Sequence, residues 1–335
     1  MRWSRGGMTK KHDAGSPGIP PPLDPKQRRE PLPGFQPKTF EEDPEAPART
    51  QLLLDSPSYR RSDQDVDFLE RDEAHGLRLH LDYLKPELLL EEQGVQHTIV
   101  VFGSTRITEP ATAGRHVERL QQALQAQPDD TGLQKKLKVA QRILEKSQYY
   151  SVAQDFGRLV GESGDGSLDS RLVVMTGGGP GIMEAANRGA FEAGAKTIGL
   201  NIDLPHEQFP NPYISPTLCF RFRYFALRKM HFLQRARALV AFPGGFGTMD
   251  ELFETLTLIQ TRTIKPVPVV LVGRKYWEAA IDFDFLLDEG VIDSEDRESF
   301  WFAETSIEAW QGILDWYGKC GEPLLPVVVP EGGRG

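Results

Sequence analysis

Hydrophobic positions change rhythm along this chain, and from His97 onward short β-branched runs alternate with longer stretches of helical periodicity. Thr98–Phe102, Leu172–Thr176, Thr197–Ile202, Ala238–Phe242 and Val267–Val272 read as strands, largely apolar as in a sheet covered on both faces. Between them, His116–Gln127, Leu133–Leu159, Ile182–Ala193, Phe222–Arg237 and Met249–Thr261 read as helices. Tyr276–Glu289 and Ser306–Gly318 form a closing amphipathic pair. Strands alternating with helices of this length predict right-handed βαβ units. The expected fold class is therefore α/β, a Rossmann-like doubly wound parallel sheet with helices on both faces.

Upstream, the rhythm is lost. Ten of the 25 prolines fall in residues 1–47, which have almost no apolar periodicity and are expected to be disordered. Residues 48–96 form an acidic, Leu-rich lead-in, with short helices over Ser62–Arg71 and Ala74–Leu90 that end or break near Pro86. The main domain is assigned to 97–320, with a helical insertion at about 111–147, and 321–335 to a flexible tail.

Composition narrows the function classes. The chain has 335 residues, 39% hydrophobic and 26% charged, which suits a globular protein with a sizeable core. No apolar run approaches the ~18–20 residues of a membrane helix, and the N-terminus lacks the apolar core of a signal peptide. With Cys219 and Cys320 as its two cysteines, the chain is expected in a reducing cytoplasm, without a disulfide scaffold or Cys-rich zinc module. The net charge of −9 argues against coating nucleic acid, whereas a small anion needs only one local cationic pocket.

Two glycine-rich turns carry the candidate chemistry. Gly177-Gly178-Gly179-Pro180-Gly181 links a strand to the helix beginning at Ile182. Pro243-Gly244-Gly245-Phe246-Gly247-Thr248 links another strand to a helix beginning at Met249. Ligands of open α/β sheets bind at such strand ends, where glycines admit a ligand and helix N-termini offer unpaired N–H groups to anions. Neither turn is a GxGxxG fingerprint with its acidic partner, and neither has the Lys of a P-loop. Thr248 and Glu251 also have the T-x-x-E spacing of a capping box, which is a purely structural explanation for both. Between the turns, Arg221 to His231 is cationic; an Arg on that helix could meet a phosphate bidentately.

The segments GGGPGIMEAANRGA (177–190) and PGGFGTMDE (243–251), with Arg-Lys-Met at 228–230 between them, resemble the LOG ("Lonely guy") phosphoribohydrolases, often mislabelled lysine decarboxylases. The resemblance covers roughly His97 to Trp316 and fits the longer bacterial members, because the N-terminal regions and the insertion exceed the short plant pattern. It implies hydrolysis of the N-glycosidic bond of a nucleoside 5′-monophosphate, either AMP or a cytokinin riboside 5′-monophosphate. By motif position, Arg228 and Glu251 would be catalytic. Gly244, Gly245, Gly247 and Thr248 would hold the phosphate, and Gly103, Ser104, Gly177, Gly178 and Gly179 would line the nucleotide site. Met183 would lie near the base, and Glu207, Lys229 and Thr257 would add substrate contacts. The resemblance also implies a homodimer or higher homo-oligomer with sites near the interface. The aromatics Phe220, Phe222 and Phe225 beside the basic helix agree with that expectation.

The chemistry suits these residues. N-glycoside cleavage passes through an oxocarbenium-like sugar, which a carboxylate stabilises while activating water. No His, Cys and carboxylate cluster converges in the sequence, so no metal or cofactor is expected. Pyridoxal-dependent decarboxylation would need a Schiff-base lysine, for which Lys229 is a poor candidate. The alternative from another class is a non-catalytic carrier of a nucleotide or of molybdenum cofactor on the same fold.

Overall fold

The computed structural model describes residues 36–164, 169–205 and 209–325. The stretches 1–35 and 326–335, where much of the expected disorder falls, lie outside the described residues, as does Glu207. The chain divides into two units, one through Asp72 and one from Glu73. In the first, α1 is Ala46–Leu54, with a proline in its first turn. A helix was expected over Ser62–Arg71, yet α2 is the single turn Val66–Leu69, started by the Asp65 carboxylate accepting from the Phe68 N–H.

The second unit opens with α3, His75–Glu92, then β1, His97–Phe102. Helices α4 (Pro110–Ala126), α5 (Thr131–Lys146) and α6 (Gln148–Glu162) precede β2 (Leu172–Thr176). Next come α7 (Ile182–Glu192), β3 (Thr197–Ile202), β4 (Cys219–Phe222) and α8 (Phe225–Gln234). Then follow β5 (Ala236–Ala241), α9 (Phe246–Gln260) and β6 (Val269–Val272). The unit ends with α10 (Arg274–Ala280), α11 (Phe283–Asp288), α12 (Ser294–Arg297), β7 (Phe300–Ala303) and α13 (Ser306–Cys320).

Among the described residues, seven strands form one sheet in the order β4-β3-β2-β1-β5-β6-β7, every pair parallel. This is the expected doubly wound Rossmann-like architecture, and alternation along the central strands builds both of its cores. Ile99, Val101, Val174 and Val240 face α6, α7 and α13, whereas Val100, Phe102, Met175 and Leu239 face α3, α8 and α9. No helix among the described residues is long and apolar enough to cross a membrane.

Four local expectations are corrected. The helix expected from Phe222 starts at Phe225, because Cys219–Phe222 pairs with β3 as an edge strand. Its alternation buries Phe220 and Phe222, so of the three aromatics offered as interface residues only Phe225 remains half-exposed. The long helix expected over Leu133–Leu159 is two, broken at Ser147, whose hydroxyl turns back to the Leu144 carbonyl at 2.6 Å. Finally, α3 runs through Pro86, whose ring is buried; packing there offsets the backbone hydrogen bond that proline cannot make.

On one face, α6 and α7 approach backbone to backbone. A Cβ on Gly189 would overlap the Gln154 carbonyl oxygen, and one on Gly157 would overlap that of Ala186. No flexible side chain can yield there, so Gly189→Ala is expected to lower stability by about 1–3 kcal/mol through overpacking. Urea unfolding checks this; a variant as stable as the parent would mean the two helices can separate freely.

Candidate functional site

Strand order reverses at β1: β2 to β4 extend to one side and β5 to β7 to the other. A crevice opens at the carboxyl ends of strands where such a reversal occurs. Here the three loops around it are tied together through one residue. The Ser104 N–H donates to the Pro243 carbonyl at 3.0 Å, and the Ser104 carbonyl accepts from the Ile182 N–H at 3.2 Å. The loop after β1 therefore joins both glycine turns. Gly181, at φ +76°, sits so close that a Cβ would overlap the Ser104 carbonyl oxygen, and only glycine meets both conditions.

A cavity of about 690 Å³ occupies this crevice. Gly103, Ser104, Met183, Arg228, Gly244, Gly245, Gly247, Thr248 and Glu251 all line it. A larger cavity of about 980 Å³ lies at the amino ends of β1 and β5, beside His97, Ala236 and Trp316; none of the expected site residues lines it.

The capping box is absent. Helix α9 begins at Phe246 with Gly245 as its N-cap and no side-chain cap. Thr248 is thus the third helical residue, and Glu251 lies in the second turn, where no orphan N–H needs it. Glu251 instead points its carboxylate into the crevice at 7% exposure. Burial pushes its pKa up to about 7, against the opposing pull of the Arg228 and Lys229 cations. A carboxyl group poised there can both hold and release a proton at neutral pH.

Arg228 is fixed from three directions. Its Nε donates to the Leu200 carbonyl of β3 at 2.7 Å, and its guanidinium lies 5.0 Å from the Phe232 ring centroid. One terminal nitrogen lies against Gly177, where a side chain would collide with it. Its two terminal nitrogens have no protein acceptor among the described residues. Burial lowers its pKa somewhat, and the Glu251 charge opposes that shift. The neighbouring Lys229 is engaged elsewhere, its ammonium 2.9 Å from both Asp250 and Glu254 on α9.

Helix α3 sets where α8 begins and ends. The Asp82 carboxylate accepts from the backbone N–H groups of Arg223 and Tyr224 at 3.0–3.1 Å. At the other end, Glu87 pairs with Arg235 through two hydrogen bonds of 2.7 and 2.5 Å. The sequence pattern marks the acidic lead-in as helical and packed on the main domain, without its role in positioning α8. The signal available was charge complementarity between that lead-in and the basic stretch from Arg221 to Arg235.

A buried polar network holds the first glycine turn, and it too went unread. The Gly178 N–H donates to Thr176 Oγ1 at 3.0 Å, and Thr176 donates to Asn187 at 2.6 Å. Asn211 donates to Asn187 at 2.9 Å and to the Gly179 carbonyl at 3.1 Å. Gly178 and Gly179 are thereby pinned through their backbone groups, but Gly177, Gly178 and Gly179 do not line the cavity. Thr257 turns its hydroxyl to the Phe253 carbonyl at 2.7 Å and does not line the cavity.

A family model described as "Possible lysine decarboxylase" matches residues 183–313. Among curated proteins, the chain is 30% identical over 183 residues to cytokinin riboside 5′-monophosphate phosphoribohydrolase LOG3 of Arabidopsis thaliana, covering 53% of this chain and 79% of that one. It is 29% identical to LOG4 of the same plant, covering 53% and 80%. Among solved structures, the Moco carrier protein of Chlamydomonas reinhardtii is 20% identical, covering 67% of this chain and 99% of that one at a TM-score of 0.40.

The Glu251 environment makes a stability prediction with a definite sign. An unfolded Glu titrates near 4.5 and the folded one near 7, so the folded state binds this proton more tightly. Below pH 4.5 the group is neutral in both states and costs nothing. The ionised form then costs progressively more up to pH 7, reaching about 3 kcal/mol at most above it. Glu251→Gln should therefore be more stable than the parent at pH 8 and nearly equal at pH 4. Urea unfolding at both pH values tests this; a variant less stable at pH 8 would mean the carboxylate makes net favourable contacts.

Proposed function

The chain belongs to the LOG family, and we propose that it hydrolyses the N-glycosidic bond of a nucleoside 5′-monophosphate, giving the free base and ribose 5-phosphate. The observation that carries this reading is a carboxyl group pushed up to about 7 in the crevice beside a fixed guanidinium. Paired groups of perturbed pKa in a cleft are a signature of acid–base chemistry.

The phosphate would sit at the start of α9, where the N–H groups after Gly245 have no side-chain cap. This places the sugar over the second turn of the same helix, within reach of Glu251. Ionised Glu251 stabilises the positive charge that develops at C1′ as the bond to the base lengthens. It also takes one proton from the attacking water, whose hydroxyl bonds to C1′. The electron pair of the broken bond leaves with the base, and the proton returns to the base nitrogen, which balances the reaction. Arg228 offers its two terminal nitrogens to the substrate and keeps Glu251 ionisable at neutral pH. The base is assigned as adenine, plain or N6-isoprenylated, and the assembly as a homodimer. Half-exposed Phe225 and Met230 on α8 and Phe253 on α9 supply apolar surface consistent with that assembly.

AMP should release adenine while adenosine is left intact, because neither the helix terminus nor Arg228 has a use for a neutral nucleoside. Activity should rise with pH through about 7 as Glu251 ionises. Glu251→Gln should still bind AMP but lose about 10²–10⁴-fold in kcat, the usual contribution of a general base. Liberated base, followed by chromatography, checks all three. Tight AMP binding without cleavage by the parent protein would favour the carrier reading instead. Light scattering should give twice the 37.5 kDa chain mass, and a monomer at micromolar concentration would remove the dimer.

A further inference from the structure

The inserted helical pair α4–α5 reaches the crevice. Four residues of α5 line the cavity, Val139, Arg142, Ile143 and Lys146. Their spacing of three, four and seven puts them on one face of the helix, so α5 presents a stripe to the cavity. Only Ala140 of α5 is fully buried, and Val139 remains exposed, so this helix is not an ordinary core element.

The stripe carries two cations, Arg142 and Lys146. Lys146 donates to the Arg142 carbonyl at 3.3 Å, and neither side chain has a carboxylate partner among the described residues. Arg106, from the loop after β1, lines the same cavity and also lacks one. Several arginines elsewhere do meet carboxylates, as Arg188, Arg235 and Arg262 do. The acidic residues of the cavity do not satisfy these cations, since Asp250 is bound to Lys229 and Glu251 faces Arg228. Three unpaired cations around one cavity, in a chain of net charge −9, call for a ligand that is itself an anion. The uncapped start of α9 in the same cavity agrees, for Gly245 and Gly247 have open space over their α-carbons.

We propose that Arg142 and Lys146 of the inserted hairpin, with Arg106, form the charge-selecting rim of this site, gripping the substrate's 5′-phosphate together with the start of α9. The inference rests on the hydrolase reading for its substrate. It adds that phosphate recognition is shared between the glycine turn and an element outside the family's short pattern. Ile143, on the same stripe, lies between the two cations along the helix.

The test compares the parent with Arg142→Gln/Lys146→Gln and with the charge-keeping Arg142→Lys/Lys146→Arg, measuring AMP hydrolysis and ribose 5-phosphate binding by calorimetry. These side chains are exposed or half-exposed, so melting temperatures should match. The neutralised variant should show KM for AMP and Kd for ribose 5-phosphate raised together by about tenfold, with a shallower salt dependence. Its kcat should change less than threefold, and the charge-keeping variant should restore both constants. Unchanged KM, Kd and salt slope in a folded neutralised variant would overturn the proposal while leaving the hydrolase reading intact. If the parent cleaves no monophosphate, the hydrolase reading fails, and the ribose 5-phosphate Kd alone still decides whether the rim binds the anion.

Discussion

Reversal of strand order at β1 obliges the loop after that strand to meet two glycine turns at once, and the crevice is built on that obligation. Ser104 meets it with its backbone, giving its N–H to one turn and its carbonyl to the start of α7. With both groups spent, the neighbouring backbones must come within van der Waals contact, and side chains are excluded from the junction. Gly181 is the consequence at one turn, and the close seat of Arg228 against Gly177 is another. What remains open is a space bounded by backbone and by the few side chains that the helices project inward.

Into that space α9 places a carboxylate that water would have solvated. Its desolvation outweighs the attraction of Arg228, which is why the group titrates near neutrality instead of as an ordinary surface Glu. Arg228 cannot move closer to relieve it, because the Leu200 carbonyl and the Phe232 ring hold it in place. The pair is therefore held unrelaxed, and the free energy that burial withholds from folding is what makes the carboxyl group responsive to a substrate's developing charge.

The parts of this arrangement visible in the sequence were those written in local patterns. Central strands such as Leu172–Thr176 and Thr197–Ile202 declared themselves as apolar β-branched runs, because both faces of each are buried. The edge strands Cys219–Phe222 and Phe300–Ala303 did not. Each is four residues long and exists because a neighbour pairs with it, a non-local cause that no short window contains. The T-x-x-E spacing at Thr248 and Glu251 misled for a related reason. It gives the distance between two residues without fixing where the helix starts, and a start at Phe246 moves both residues past the cap. The Asp82 contact to the start of α8 was hidden likewise, since it joins residues more than a hundred positions apart.

Arg228 and Lys229 show why adjacent cations need not do the same work. Successive residues of a helix point about 100° apart, so when Arg228 faces the crevice Lys229 must face a different neighbour. That neighbour is α9, where Asp250, Glu251 and Glu254 bring three carboxylates within one turn. Left alone, like charges at such spacing repel, and both flanking groups press the Glu251 pKa still higher. By bridging Asp250 and Glu254 at 2.9 Å each, Lys229 neutralises the flanking pair and leaves Glu251 to answer to Arg228. The lysine thus acts on the crevice without lining it. A motif that lists arginine and lysine side by side records two roles, one facing the ligand and one holding the helix that carries the carboxylate.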